Sequence, residues 1–279
     1  MPTRLHRILI DITHTAQFNF YINIIKTLSE EYFLIVTVLN RGILPEIAHK
    51  ELARINNIQI RVIGKKGSSK WATIWNANLL RILKLVLFSM GKKIRISFAN
   101  GYHPSLVGRL LGFKSITFDD DPQVYDYRIK LAFANKVYYC LYNSKFAALN
   151  KKARILRCTK EWAYLNPGTF FPDSNMLSEY GIKPKEYIFI REVTTSTWNY
   201  SKQRYGRVLD VVNQLPENYK IVFSLEDKDK RNFYPKDWIL IEKPVRDIHS
   251  LIYYSKLLIS SSDSMAREAA TLGIPGVYI

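Results

Sequence analysis

An apolar run, RILIDI (Arg7–Ile12), carries Asp11 near its end and is followed by Thr13 and His14. If the run is a strand, Asp11 and His14 lie at its C-terminal end, where open α/β sheets place their sites. A carboxylate that fixes an imidazole tautomer makes an oriented acid/base pair, with His14 as the base and Asp11 holding it. The bland alternative is local: Asp11 or Thr13 caps the next helix and His14 sits on a surface loop. A second group lies far along the chain. Ser262, Asp263 and Ser264 separate the apolar Leu257–Ile259 from a helical pattern over Met265–Leu272. The N–H groups exposed at such a helix start form an anion site, but Ser and Asp also cap helices that bind nothing. Arg191, closing the apolar stretch Tyr187–Arg191, has a planar fork suited to a diphosphate, or equally to an ordinary salt bridge. Asp119, Asp120 and Asp121 invite a hard cation. Consecutive residues rarely all face one ion, so no metal site is assigned.

These residues need elements to hold them. Strands are expected at Arg7–Ile12, Phe33–Val38, Ile58–Ile63, Ile94–Phe98, Ser115–Phe118 and Lys136–Tyr139. Helical spacing falls between them, over Phe18–Leu28, around Pro45–Ile55, over Trp71–Met90 and over Ser105–Leu111. The rhythm breaks from Arg157 to Lys185, where Pro167, Gly168, Pro172, Gly181 and Pro184 mark a linker. It resumes with strands at Tyr187–Arg191, Lys220–Leu225, Trp238–Ile241 and Leu257–Ile259, and helices over Arg204–Leu215 and Val245–Tyr254. Gly273 stands at a helix C-cap position, Pro275 bars continuation, and Gly276–Ile279 reads as the next strand. Strands alternating with helices indicate parallel sheets covered on both faces, in two Rossmann-type domains. The boundary is set at residues 170/171. The second domain has few strands and stops inside one, so a longer C-terminal part is expected.

Charge divides along the same line. Residues 1–170 hold 26 Lys+Arg against 10 Asp+Glu, and residues 171–279 hold 15 against 14. No acid occurs between Glu51 and Asp119, a stretch with twelve Lys or Arg. Nucleic acid, an anionic membrane surface or an anionic substrate would each be served by this. Nucleic-acid binding also asks for aromatics interleaved with cations on an exposed face, and the neutral second domain counts against it. Trp71–Met90 is long enough to span a bilayer, but Asn76, Asn78, Arg81 and Lys84 in its middle oppose that. At 100° per residue Lys70, Arg81 and Lys84 share one face, flanked by Lys65, Lys66, Lys92 and Lys93. That is the pattern of an interfacial helix, or of a core helix with one solvated stripe. The N-terminal apolar run is too short for an export signal, and two cysteines, Cys140 and Cys158, give no disulfide framework. A cytoplasmic location is expected, with peripheral attachment to the inner face of the membrane as an option.

Several stretches together resemble one family. DITHTAQFNFYINIIKTL is similar to the opening of the family of unknown function numbered 354, with Asp11 and His14 matching, Thr15 in place of a proline, and Gln17 and Asn19 in place of histidines. SITFDDDPQ (Ser115–Gln123), KEWAYLNPGTFFPD (Lys160–Asp173), YIFIREV (Tyr187–Val193) and SDSMAREAATLGIP resemble later segments in the same order. The last also resembles the donor-site helix of GT-B enzymes, a group that includes the UDP-N-acetylglucosamine 2-epimerases.

The resemblance implies a GT-B-like fold, a diphosphate turn at Ser262–Ser264 and a ribose carboxylate at Glu268, with Arg191 beside them. It implies a metal-independent glycosyltransferase of surface polysaccharide biosynthesis. No cofactor is called for, because the nucleotide-sugar enters as substrate. Its partners would be that donor and a glycan or lipid-linked acceptor near Asp11 and His14. The same fold also carries nucleotide-sugar 2-epimerases, which need further carboxylates, and Asp119–Asp121 are the only local cluster. A basic nucleic-acid module is the remaining alternative.

Overall fold

The computed structural model describes residues 6–65, 67, 74–119, 126–147, 150–194, 203–242, 245 and 247–279. The chain forms two compact units, Met1–Tyr164 and Leu165–Ile279, which meet inside the stretch assigned to the linker.

In the first unit, seven parallel strands run β3-β2-β1-β4-β5-β6-β7. They are β1 (Arg7–Ile12), β2 (Phe33–Asn40), β3 (Ile58–Lys65), β4 (Ile94–Ala99), β5 (Lys114–Asp119), β6 (Lys136–Cys140) and β7 (Ala153–Leu156). β1 and β2 are continuous apolar runs, buried almost throughout, as both-faced burial requires. The helices that matter below are α1 (Thr15–Leu28), α2 (Leu44–Leu52), α3 (Leu80–Ser89), α4 (His103–Leu111) and α5 (Tyr127–Phe133). Ile8, Ile10 and Ile12 of β1 pack with Phe18, Tyr21 and Ile25 of α1. Leu9, on the other face of β1, packs with Leu85 of α3 and Val107 of α4. α4 closes on Gly112 at φ 82°, a left-handed C-cap that favours glycine. β7 has no counterpart in the sequence reading. At four residues, two of them exposed, it shows no clear alternation to find.

The second unit holds β8 (Tyr187–Glu192), β9 (Lys220–Leu225), β10 (Ile239–Leu240), β11 (Leu257–Ser260) and β12 (Gly276–Tyr278), in the order β10-β9-β8-β11-β12, all parallel. α6 (Ile248–Tyr254) and α7 (Asp263–Thr271) flank β11. α7 ends in a Schellman motif: Gly273 N–H donates to Ala270 O at 3.1 Å and Ile274 N–H to Ala269 O at 2.9 Å. A side chain at Gly276 would bring Cβ within 2.9 Å of Ala266 O, so glycine lets β12 start against α7. The helix expected at Arg204–Leu215 is a 3-10 helix, Arg207–Gln214. Val208, Val211 and Val212 make it rich in β-branched residues, which lowers α-helix propensity.

Of the helix expected over Trp71–Met90, residues 71–73 lie outside the described residues, Ile74–Leu79 form a π-helix and Leu80–Ser89 form α3. Its polar stripe is not what the spacing suggested. Arg81 is fully buried, with Leu85 and Ser89 on the same face, while Leu83, Leu87 and Met90 are exposed at 55%, 62% and 57%. Lys66 and Lys70, invoked for that stripe, lie outside the described residues. Among the described residues no helix is long and apolar enough to cross a membrane.

Candidate functional site

Both sheets have a switch point, where chain progression reverses and the flanking loops part to leave a crevice at the strand C-termini. In the first unit it falls between β1 and β4, in the second between β8 and β11.

At the first switch point Asp11 and His14 part company. Asp11 is 1% exposed and is held by Arg81 in a bidentate pair, Nη1 to Oδ2 at 2.9 Å and Nη2 to Oδ1 at 2.6 Å. Thr37 Oγ1 donates to the same carboxylate at 2.6 Å, and Arg81 Nε donates to Ile63 O at 3.0 Å. Gly64, at φ 79°, lets the Arg81 side chain pass, since a Cβ there would sit 2.9 Å from its Cδ. The carboxylate thus ties β1 to β2 and α3, and it does not orient His14. This corrects the expected dyad. Position near a strand end could not say which way the carboxylate pointed, and its partner lies seventy residues on.

His14 is instead the N-cap of α1, its Nδ1 accepting from Ala16 N–H at 3.2 Å. With Nδ1 as acceptor, the neutral ring carries its proton on Nε2. Nε2 is then a donor, and using it as a base would require a proton on Nδ1, which breaks the cap. Gln17, standing where the resembled family has histidine, accepts through Oε1 from Thr13 N–H at 2.8 Å and ties down the same turn. Across the switch point, His103 opens α4 beside Asn100. It is 8% exposed, stacks on Tyr102 at 4.4 Å and has Nε2 3.1 Å from Asn78 Oδ1. Sequence reading passed over it. Gly101 before it and Pro104 after it were the available signal of a strand-to-helix turn.

The Asp119–Asp121 cluster also resolves differently. Asp119 is 3% exposed and pairs with Lys130 at 3.0 Å, and Lys130 reaches Asp126 at 3.1 Å. Burial alone would lower the Lys130 pKa, but the two carboxylates outweigh it and hold the value up. Asp120 and Asp121 lie outside the described residues. No metal-ligating cluster occurs among the described residues.

At the second switch point the register sets Arg191 of β8 opposite Ser260 of β11. Ser261 N–H donates to Arg191 O at 3.0 Å and Val193 N–H to Ser261 Oγ at 2.9 Å, lacing the two strand ends together. Ser262 is the N-cap of α7 by backbone geometry, yet its side chain makes no cap hydrogen bond. Its N–H donates to Ser260 Oγ at 2.9 Å. Asp263 adds charge to the helix start, but Arg267 one turn later meets it at 2.6 Å. Arg267, one turn into α7, therefore brings a cation to Asp263 that motif reading missed, although the spacing of four was visible. Arg191 reaches the other way. Its Nη1 donates to Ser224 Oγ at 2.9 Å and its Nη2 lies 3.5 Å from Glu226, both on the β9 side.

Glu268, one turn into α7, is 6% exposed, and its Oε1 lies 3.2 Å from His249 Nε2. His249 sits on α6, packed edge-on against Phe170 at 6.3 Å. Burial alone would lower its pKa, but the Glu268 carboxylate, its hydrogen bond and Asp247 together raise it. Raised histidine values carry a sign. The pair's contribution to stability is fully present below the unfolded pKa, about 6.5, and is lost as pH rises through the higher folded value. Denaturant unfolding of the chain between about pH 5 and 9 should show that fall, and His249→Gln should flatten it. An unchanged slope in His249→Gln would remove the pair as its source.

The family described as Protein of unknown function (DUF354) matches residues 6–279, nearly the whole chain. The chain belongs to that family. No curated protein sequence matches this DUF354 chain. Its fold recurs in UDP-GlcNAc 2-epimerase from Neisseria meningitidis bound to UDP-GlcNAc, at 13% identity and TM-score 0.66, over 96% of this chain and 81% of that one. It recurs in Anabaena Alr3699/HepE in complex with UDP and glucose, at 12% identity and TM-score 0.63, over 97% and 79%. Phytolacca americana UGT2 complexed with UDP-2fluoro-glucose and pterostilbene aligns at 10% identity and TM-score 0.61, over 100% and 81%. At these identities the likeness is one of fold, and that fold is GT-B-like.

Proposed function

We propose that the chain binds a nucleotide-sugar on its second unit and transfers the sugar to a glycan or lipid-linked acceptor held by the first, in the making of a surface polysaccharide. One observation carries the reading: a polar turn and helix N-terminus at the β8/β11 switch point, with a carboxylate one turn in, held by His249. The helix-start N–H groups of Asp263 and Ser264 suit a diphosphate, and Glu268 suits ribose hydroxyls. Arg191 joins this turn through its backbone carbonyl, and its guanidinium, held by Ser224 and Glu226, would have to turn from β9 to meet the diphosphate. UDP is the natural first nucleotide to try, since the Neisseria, Anabaena and Phytolacca structures contain UDP or a UDP-sugar. His14 Nε2–H, at the first switch point, would donate to the acceptor. Such transfer asks for positioning and charge stabilisation more than for a strong base.

Calorimetric titration with UDP and a panel of UDP-sugars tests this. Binding is expected, and Glu268→Ala should weaken it by about 1.5–3 kcal/mol, the worth of a hydrogen bond to a charged group. Unchanged affinity in a folded Glu268→Ala protein would take Glu268 out of the site. The fold shared with a 2-epimerase supports a second reading, conversion of the sugar nucleotide itself. Uptake of solvent deuterium at the sugar C2 without acceptor marks that outcome. Asp119 is spent on Lys130, so an epimerase would have to draw on other carboxylates.

A further inference from the structure

In a parallel sheet every strand starts at one edge, and the connecting helices end there. The edge opposite the first switch point therefore collects the last helical turns and the first strand residues, and here those have a repeated chemistry. α3 leads through Met90, then Lys92 and Lys93, into β4. α4 carries Leu110 in its last turn before Lys114, α5 ends with Phe133 before Lys136, and β7 is entered through Lys151 and Lys152. Met90, Leu110 and Phe133 are exposed at 57%, 69% and 39%. No acid occurs within residues 90–95, 109–115, 131–137 or 150–154. The acids that lie toward this edge, Glu30 and Glu31 before β2 and Glu51 in the last turn of α2 before β3, are on the far half of the sheet, and Asp119 and Asp126 belong to the opposite edge. A cleft of about 500 Å³ opens on the same edge between Gly108–Lys114 and Ala132–Asn135, with Arg109, Lys114 and Lys152 lining it.

We propose that this β4–β7 edge rests on an anionic lipid bilayer, its three apolar helix ends entering the interface and its lysines meeting lipid phosphates. Apolar groups ringed by cations and free of acids match an anionic interface on both counts. Neutral-membrane insertion would not need the cations, and a polyanion alone would not need the exposed Met90 and Leu110. The arrangement has a consequence for the proposed acceptor. β4 and β5 are six residues long, so the edge bearing His14 stands roughly 20 Å from the lipid. A lipid-linked acceptor must bridge that distance with a glycan chain of several sugars. This deepens the transfer reading and rests on it only for the acceptor, because lipid attachment is measured separately.

Cosedimentation of the full chain with vesicles of phosphatidylcholine, alone or mixed with phosphatidylglycerol, is the test. Binding is expected to the mixed vesicles only and to fade as salt shortens the screening length. Lys93→Glu, Lys114→Glu, Lys136→Glu and Lys151→Glu combined should reduce it on the order of a hundredfold. Met90→Gln with Leu110→Gln should weaken it with the charges intact. Each variant is checked for an unchanged unfolding midpoint and unchanged UDP titration, so failure of lipid binding and failure of donor binding are told apart. Equal binding to both vesicles, or to neither, would overturn the proposal. So would displacement from the mixed vesicles by single-stranded RNA, or self-association abolished by Met90→Gln with Leu110→Gln.

Discussion

Replacing Arg81 with methionine should lower the stability of the first unit by about 3–5 kcal/mol, the cost of leaving a buried charge without its partner. Arg81 and Asp11 are 0% and 1% exposed, so water cannot take over when the guanidinium is removed. Thr37 would still donate one hydrogen bond, which falls short of balancing a full charge. Asp11→Asn combined with Arg81→Met should recover most of the loss, because no uncompensated charge remains. Denaturant unfolding read by circular dichroism distinguishes these outcomes. A loss of under about 1 kcal/mol in Arg81→Met would mean the pair behaves like a surface salt bridge.

His14→Asn should leave the fold intact and slow the reaction about 10²–10³-fold, the usual consequence of losing one preorganised donor from a transition state. Asparagine is among the best N-caps, so Ala16 N–H keeps an acceptor and α1 keeps its start. What disappears is the ring's Nε2–H. His14→Ala removes both functions and should also cost about 1 kcal/mol of stability. UDP release from whichever sugar nucleotide binds gives the rate, and the UDP affinity of both variants should stay near wild type. Wild-type turnover in His14→Asn would reduce the residue to a cap.

The amino-acid sequence by itself determined the architecture. Continuous apolar runs such as RILIDI and FLIVTVLN are buried on both faces only in parallel sheets, and alternation with helical spacing sets the crossovers. It also determined where α7 stops, since Gly273 and Pro275 act on their own backbone neighbourhood, while the start came two residues earlier than the Met265 the pattern gave. Local chemistry is legible because cause and effect lie within a few residues.

What the tertiary structure decided is which side chain meets which. Asp11 and His14 are three positions apart, yet Asp11 pairs with Arg81 and His14 with its own helix. Arg81 looked like part of a solvated stripe until β1 offered it a buried carboxylate. Glu268 gained His249 from a neighbouring helix, and Lys114, Lys136 and Lys151 became one edge only once the strand order was set. Pairings across a sheet depend on register and strand order, which close contacts between residues far apart in the chain, and no spacing in a single sequence encodes those distances.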